Sequence, residues 1–458
     1  MATDVSINTV TPAGTTTAST LATLMAREIW VEDFGAKGDG STNDAPAIQA
    51  AVNALNTVTG GTIRFRARVY VVNSAITVST VPITFRGMGV SYGANPTLGT
   101  TLLTNNASIV PFTFTGGSHG SAIRDLAVAQ THPAPASAAY NASTDSYSLT
   151  PWTPTPYPYF FQFIGLYAGF HIDNVQFYGI NKGIYATGCG HFHIEWIFGQ
   201  WYNNAVWVEN CLDTPYIGQI KHWSYIDANV NHLVYQQANL DVLLIGRCDG
   251  LMLGRLDVLA ARSAIHCYQE PPNANSSISS PGGVAQFYAD TISAESVVYG
   301  AWMDALNNGG TVFYYFIKHL DHSCIDVTHQ SALPLSGAAA LYLNGGINMM
   351  VSVNRLNTGY NQASGIYVVG NGVSLTIDQF SMNTPNFYFA SNPAPMISVN
   401  AGSPMANLVY LGMARIFNAR GAALFGGAGY NPSGTVTCVC GPYAVDGQGW
   451  TRSISPFP

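Results

Sequence analysis

Three phrases of the sequence decide how the chain folds: His171-Ile172-Asp173-Asn174-Val175-Gln176-Phe177, His193-Ile194-Glu195-Trp196-Ile197-Phe198 and Tyr216-Ile217-Gly218-Gln219-Ile220-Lys221-His222. Each sets a central aliphatic residue among alternating polar and apolar neighbours, and the centres Val175, Ile197 and Ile220 fall 22 and 23 residues apart. Later phrases put centres at Leu256, Ile292, Leu320 and Leu356, with longer gaps that read as loops inserted into a coil. A second apolar beat follows each centre, as in Gly183-Ile184-Tyr185, His232-Leu233-Val234-Tyr235 and Ser263-Ala264-Ile265. Segments this short gain a core only by stacking on their neighbours, which is the logic of a solenoid. A leucine-rich repeat has a similar period, but its Leu-x-x-Leu-x-Leu frame is missing and helix-forming Glu, Lys and Arg are scarce. The expected fold is all-β, a parallel β-helix.

Composition agrees with that reading. Of 458 residues, 47% are hydrophobic and 9% charged, with 24 Asp+Glu against 17 Lys+Arg for a net charge of −7. This excludes a disordered chain and a coiled coil, and nucleic acid is not an expected partner. No apolar run approaches the roughly 18 to 20 residues that cross a bilayer, and the start Met1-Ala2-Thr3-Asp4 carries no basic-then-apolar leader. Membrane insertion is therefore not expected. The seven cysteines, Cys189, Cys211, Cys248, Cys267, Cys324, Cys438 and Cys440, read as buried thiols of a protein assembled in a reducing cytosol. The close Cys438/Cys440 pair has no second cysteine pair or matching His spacing beside it; His191 and His193 share one strand face, which admits a metal, but a lone pair of this kind reads as hydrogen-bonded surface, so no metal and no cofactor is expected.

A β-helix leaves an open end that needs a cap. Residues Asp44 to Leu55 show helical spacing, with Asn43 or Asp44 as N-cap and Gly60-Gly61 as the stop, before alternating strands at Thr62-Ile63-Arg64-Phe65 and Val69-Tyr70-Val71-Val72. The opening segment Trp30-Val31-Glu32-Asp33-Phe34-Gly35-Ala36-Lys37-Gly38-Asp39-Gly40-Ser41-Thr42-Asn43-Asp44, with Ala47 to Ala51 and Gly60-Gly61-Thr62, closely resembles the start of the pectate-lyase-like right-handed β-helix superfamily. The resemblance implies a right-handed coil with an N-terminal capping helix. It implies no chemistry, because in the family this segment is a structural cap.

The leader Thr15 to Glu28 looks like the linker through which bacteriophage tailspikes enter the same motif. Those proteins are homotrimeric polysaccharide depolymerases. The resemblance thus implies a virion protein of the phage tail, made in the host cytoplasm and acting outside it. Its implied partners are a bacterial surface polysaccharide, the other copies of a homotrimer and a phage tail or baseplate protein. The expected organisation is a linker or virion-attachment segment (1–28), a cap with the first strands (29–75), a β-helix with inserted loops carrying the glycan site (76–385), and a β-rich terminal trimerisation region (386–458).

Side chains from successive coils line up about 4.8 Å apart, a natural groove for an extended glycan. Aligning the phrases at their centres puts Asp257, Glu295 and Asp321 outward on three consecutive coils. Glu295 then lies one rung and two residues, about 8 Å, from each of the others, within the span of an inverting acid–base pair. Glu295 is the expected general acid and Asp257 or Asp321 the expected base, the arrangement of a glycoside hydrolase; the tailspike resemblance implies a capsule, exopolysaccharide or O-antigen as its substrate. Trp201, Trp223 and Tyr225 are expected to stack on sugars, and Lys318 and His322 to contact substrate. Lys318, His319 and His322 beside Asp321 keep a polysaccharide lyase open, and a non-catalytic glycan-binding spike is a third reading. Residues 132–159, rich in Pro, Thr, Ser and Tyr, are expected to form a projecting loop that walls the groove or grips a neighbouring subunit.

Overall fold

A computed structural model describes residues 9–10, 19–20, 27–57, 60–90, 98–144, 146–224, 229–268, 286–305, 313–324, 338–345, 349–359, 365–370, 372–383, 397–400, 407–417, 425–426, 436–440 and 443–446. Most of the leader, Tyr225 and much of the terminal region lie outside the described residues. The chain divides into two compact units, residues 1–132 with 155–198, and residues 133–154 with 199–458.

In the first unit the strands Glu28–Trp30 and Asp39–Asn43 lead into the helix α1 (Ala45–Asn56), whose apolar residues Ile48, Ala51, Val52 and Leu55 are buried. Asp44 occupies the N-cap position without capping through its side chain. Its carboxylate instead accepts the backbone N–H groups of Lys37 (2.6 Å) and Val71 (3.3 Å), while Asn43 Oδ1 accepts Ala45 N–H (3.3 Å). The two candidate caps thus share the work, one tying the segment before the helix to the first coil and the other holding the helix start. Gly60 follows at φ +95°, donating to Leu55 O (3.1 Å). A Cβ at Gly60 would stand 2.3 Å from Pro82 O, so only glycine fits this stop. Beyond it the strands Gly61–Arg64 and Ile83–Arg86 pair in parallel, as do Val69–Val71 and Thr101–Thr104. Inside, Phe114, Phe163, Phe170 and Phe192 form a ring stack at centroid steps of 4.7, 3.7 and 4.9 Å.

In the second unit seven long strands carry the coil: β1 (Tyr216–His222), β2 (Asp249–Leu259), β3 (Gln286–Glu295), β4 (Phe313–Ser323), β5 (Met349–Gly359), β6 (Val373–Asn383) and β7 (Asn407–Phe417). Each pairs in parallel with the next. Ile220, Leu256, Ile292, Leu320, Leu356, Phe380 and Ala414 are successive register partners and all are buried. The centres read from sequence at Ile220, Leu256, Ile292, Leu320 and Leu356 are therefore rungs of one inner row. A second parallel stack runs through the shorter strands Asp241–Ile245, Ser263–Cys267, Tyr299–Ala305, Ala339–Gly345, Ile366–Gly370 and Ile397–Asn400, with Leu243, Ile265, Ala301, Leu341, Ile366 and Ile397 in register and buried. Burying each such Leu or Ile contributes about 1.5–3 kcal/mol, so the core grows by a fixed increment per coil. This is a parallel β-helix.

Two features depart from the sequence reading. The beat placed at His232 to Tyr235 is not a strand but part of the helix α2 (Val230–Asn239), nucleated where the Asn229 side chain accepts Asn231 N–H (2.9 Å). The strand of that coil is Asp241–Ile245 instead. The loop of residues 133–154 grips this helix of its own chain: Trp152 packs on His232 (centroids 4.0 Å) and Tyr235 (5.6 Å), and Thr150 N–H donates to Asn231 Oδ1 (2.9 Å). Cys189, Cys211, Cys248, Cys267 and Cys324 are buried free thiols, and no described helix is long and apolar enough to cross a membrane.

Candidate functional site

Beyond the buried centres, alternate residues of β2 to β5 face outward and form rows. Asp257, Ser293, Asp321 and Asn357 are successive register partners, and Leu259, Glu295, Ser323 and Gly359 make the next row. Glu295 therefore lies one rung and two residues from both Asp257 and Asp321, the register that the spacing predicts, with backbones about 8 Å apart. Glu295 and Asp321 border one open depression of about 510 Å³, lined also by Ser293, Ser323, Asn357 and Ser381.

The three acids differ in what already holds them. Glu295 is exposed, and its carboxylate has no partner among the described residues. Asp321 is half-exposed; its Oδ1 accepts the Asn357 amide (2.6 Å) and its Oδ2 lies 3.1 Å from His319 Nε2. Asp257 is 15% exposed and committed: Arg255 Nε donates to both its oxygens (3.0 and 2.8 Å) and Gln219 to one (3.3 Å). It does not line the depression.

The residues expected to touch substrate scatter. Trp223 is 39% exposed, with Lys221 Nζ 5.6 Å from its ring centroid. It follows Lys221 and His222, which pair with Asp257 and Val258, so it continues the row of Leu259 and Glu295, about 10 Å from the latter. Trp201 is fully buried, a correction to the sugar-platform reading: residues 197–202 are all buried, and Gln236 of α2 donates to Trp201 O (3.0 Å). The Trp201 ring lies beside the inward-facing His222 (centroids 5.9 Å), so it belongs to the interior rather than to an outward row. Lys318 is exposed but pairs with Asp290 (2.9 Å) and lies off the depression. His322 faces inward at 4% exposure, between two outward neighbours, and offers substrate no free nitrogen: Nε2 lies 2.8 Å from Val297 O and Nδ1 3.3 Å from Thr358 Oγ1. The strand alternation carried that signal, since the residue two after each centre points inward.

Sequence reading missed Asp241. Its buried carboxylate accepts Arg262 Nε (2.8 Å) and Ser263 Oγ (2.7 Å) and faces His266 Nδ1 (3.2 Å), whose Nε2 lies 3.3 Å from Asp304. Burial opposes the charge on both groups. The bonds from His266 and Arg262 nevertheless hold Asp241 below the usual carboxylate value, and those to Asp241 and Asp304 raise His266. Every polar group in this cluster is used internally, so it reads as a structural brace. Among the described residues no group of three or more His, Cys, Asp or Glu is arranged to hold a metal ion.

Histidine burial gives the stability a direction with pH. Burial holds His222 down to about 3 and His322 to about 4, from an ordinary 6.5. Below pH 6.5 the unfolded chain takes up protons that the folded chain refuses until those lower values. Stability from these two groups is whole above pH 6.5 and declines toward pH 4, by about 1 kcal/mol per pH unit for each histidine. His266 acts oppositely: its contribution is present below 6.5 and lost as pH rises through its raised value. Urea unfolding midpoints should fall from pH 6.5 to 4, and less steeply in His222→Asn; an identical slope in that variant removes His222 from the cause.

Comparison with known proteins gives a modest yield. Residues 29–128 match the model of a family described as rhamnogalacturonase A/epimerase, pectate lyase-like. No curated protein sequence matches. Among solved structures, the chain is similar to ORF18 of Geobacillus virus E2 (14% identity, 92% of this chain, 62% of that chain, TM-score 0.35). It is similar also to the catalytic domain of a GH87 alpha-1,3-glucanase in complex with nigerose (12%, 91% and 68%, 0.45). A third likeness is to a mutant tailspike protein of E. coli bacteriophage HK620 in complex with a pentasaccharide (8%, 95% and 82%, 0.49). The chain thus spans less than two thirds of the ORF18 chain. Likeness at these values says nothing of chemistry, and the architecture rests on the chain's own strand registers.

Proposed function

We propose that the chain binds and cleaves a bacterial surface polysaccharide by glycosidic hydrolysis, as a homotrimeric spike of a phage tail. The observation that carries this reading is the shared border of Glu295 and Asp321 on one open depression. Glu295, unpartnered among the described residues, is the general acid that protonates the leaving oxygen. Asp321, oriented by Asn357 and His319, is the base that activates water from the other side of the bond. Carboxyl groups that keep the backbone spacing of about 8 Å leave room for that water, and inversion of the anomeric centre is then the expected outcome. Asp257, held by Arg255, supports the wall of the groove. Trp223 offers a flat ring at the distance of a neighbouring sugar unit. The spike assignment draws on the resemblance of the opening segment and its leader.

The test is incubation of the purified chain with capsular, exopolysaccharide and O-antigen preparations from a panel of bacteria. Shorter chains with new reducing ends are expected. The ultraviolet absorbance of an unsaturated uronate would instead make the reaction an elimination, with the half-exposed His319 as the base to examine. Retention of intact polymer would make the chain an adhesin.

A further inference from the structure

We infer that His322 is a positioning residue for the carboxyl pair: it fastens the turn that carries Glu295 to the strand that carries Asp321. The inference rests on the proposed hydrolysis at that pair. His322 sits on β4 between Asp321 and Ser323, both of which line the depression, while its own side chain is 4% exposed and turned inward beneath them. Its Nε2 reaches Val297 O, two residues after Glu295 on the preceding rung (2.8 Å), and its Nδ1 reaches Thr358 Oγ1 on β5 (3.3 Å). A carbonyl only accepts, so Nε2 carries the proton and Nδ1 accepts from the threonine hydroxyl. One neutral ring therefore spans three successive rungs at the level of the two carboxyl groups.

The place is unusual for such a side chain. His322 belongs to the inward row His222, Val258, Ala294, His322, Thr358, Met382, where a polar ring costs stability unless both nitrogens are satisfied. The turn it holds also needs holding. Ser296, next to Glu295, has φ +56°, a left-handed conformation that residues with a Cβ adopt at a cost of about 1 kcal/mol. The backbone ties Val297 N–H to Ser323 O (3.2 Å), and Gln237 of α2 donates to Ser296 O (2.7 Å) from the other side. His322 completes the clamp from within. Through it the spacing of acid and base is set by a side chain that never meets the sugar.

The test uses the full chain and the panel polysaccharide that the wild type cleaves. His322→Leu keeps bulk but removes both hydrogen bonds, whereas His322→Gln returns an amide donor near the position of Nε2. In His322→Leu, kcat should fall about 10- to 100-fold, the usual penalty of a misplacement near 1 Å, with KM within about twofold. His322→Gln should recover most of that loss. Crystal structures should show the Ser296–Val297 turn displaced in the leucine variant and native in the glutamine one. A folded His322→Leu with wild-type kcat, or an unmoved turn, overturns the inference. Should the leucine variant fail to fold, His322→Asn, whose shorter amide falls short of Val297 O, takes its place: equal rates in the asparagine and glutamine variants overturn the inference and a lower rate in asparagine supports it. Full activity in Glu295→Gln would bring down the hydrolysis reading itself, whereas an inactive Glu295→Gln beside a normal His322→Leu removes only the positioning role.

Discussion

Glu295→Gln is expected to lower kcat on the cleaved polysaccharide by about 10²- to 10⁴-fold, with KM little changed. That range is what a single general acid contributes, about 3 to 5 kcal/mol of barrier. Glutamine keeps the shape and removes the transferable proton, so the loss isolates proton donation from binding. Because Glu295 is exposed and its carboxylate has no partner among the described residues, the change should leave stability within about 0.5 kcal/mol. Asp321→Asn should match it in kcat, whereas Asp257→Asn should stay within about threefold, since Asp257 is already spent on Arg255. Initial rates of reducing-end release, with thermal melts of each variant, check all three. Wild-type rates in Glu295→Gln would exclude it from the reaction, and an inactive Asp257→Asn would move the base to the other neighbouring rung.

Trp201→Ala is expected to cost about 3 to 5 kcal/mol, the largest stability loss among the described tryptophans, because a fully enclosed indole leaves a cavity when truncated. In a coil whose parts contact only their neighbours, the damage should stay local, so hydrogen exchange near β1 and α2 should accelerate before distant strands respond. Trp223→Ala should do the reverse, leaving the melt unchanged and raising KM. A stable Trp201→Ala with raised KM would return Trp201 to the sugar surface.

The architecture was legible because stacking imposes one demand on every coil. Ile220, Leu256, Ile292, Leu320 and Leu356 repeat it, and aligning them yields the observed register of Asp257, Glu295 and Asp321 without further information. What failed was non-periodic. Trp201 looked outward because nothing in its own neighbourhood announces that its ring turns inward beside His222, one coil on. The helix α2 was obscured by the three-residue apolar run Leu233-Val234-Tyr235, which suits strand or helix equally. Lys318 and Asp290 each fall two residues before their centres, Leu320 and Ile292, so their pairing followed from the same alignment and was overlooked beside the acids. His322 is likewise an exception, since the alternation around Leu320 already turned it inward and chemical appeal outweighed the pattern. Asp241 escaped notice because its partners Arg262, His266 and Asp304 meet only across coils.

From Asp257 to Ser293 the chain travels 36 residues, from Ser293 to Asp321 28, and from Asp321 to Asn357 36, yet each journey advances the row by one rung. Hydrogen bonding between strands, not contour length, measures the step. Excursions between strands are therefore free to lengthen, shorten or be traded between lineages while the carboxyl groups keep their spacing. On the proposed reading, a scaffold built this way lets recognition diversify at the rim while the rows that carry the carboxyl groups stay fixed, so a change of target glycan would demand new loops rather than a new coil.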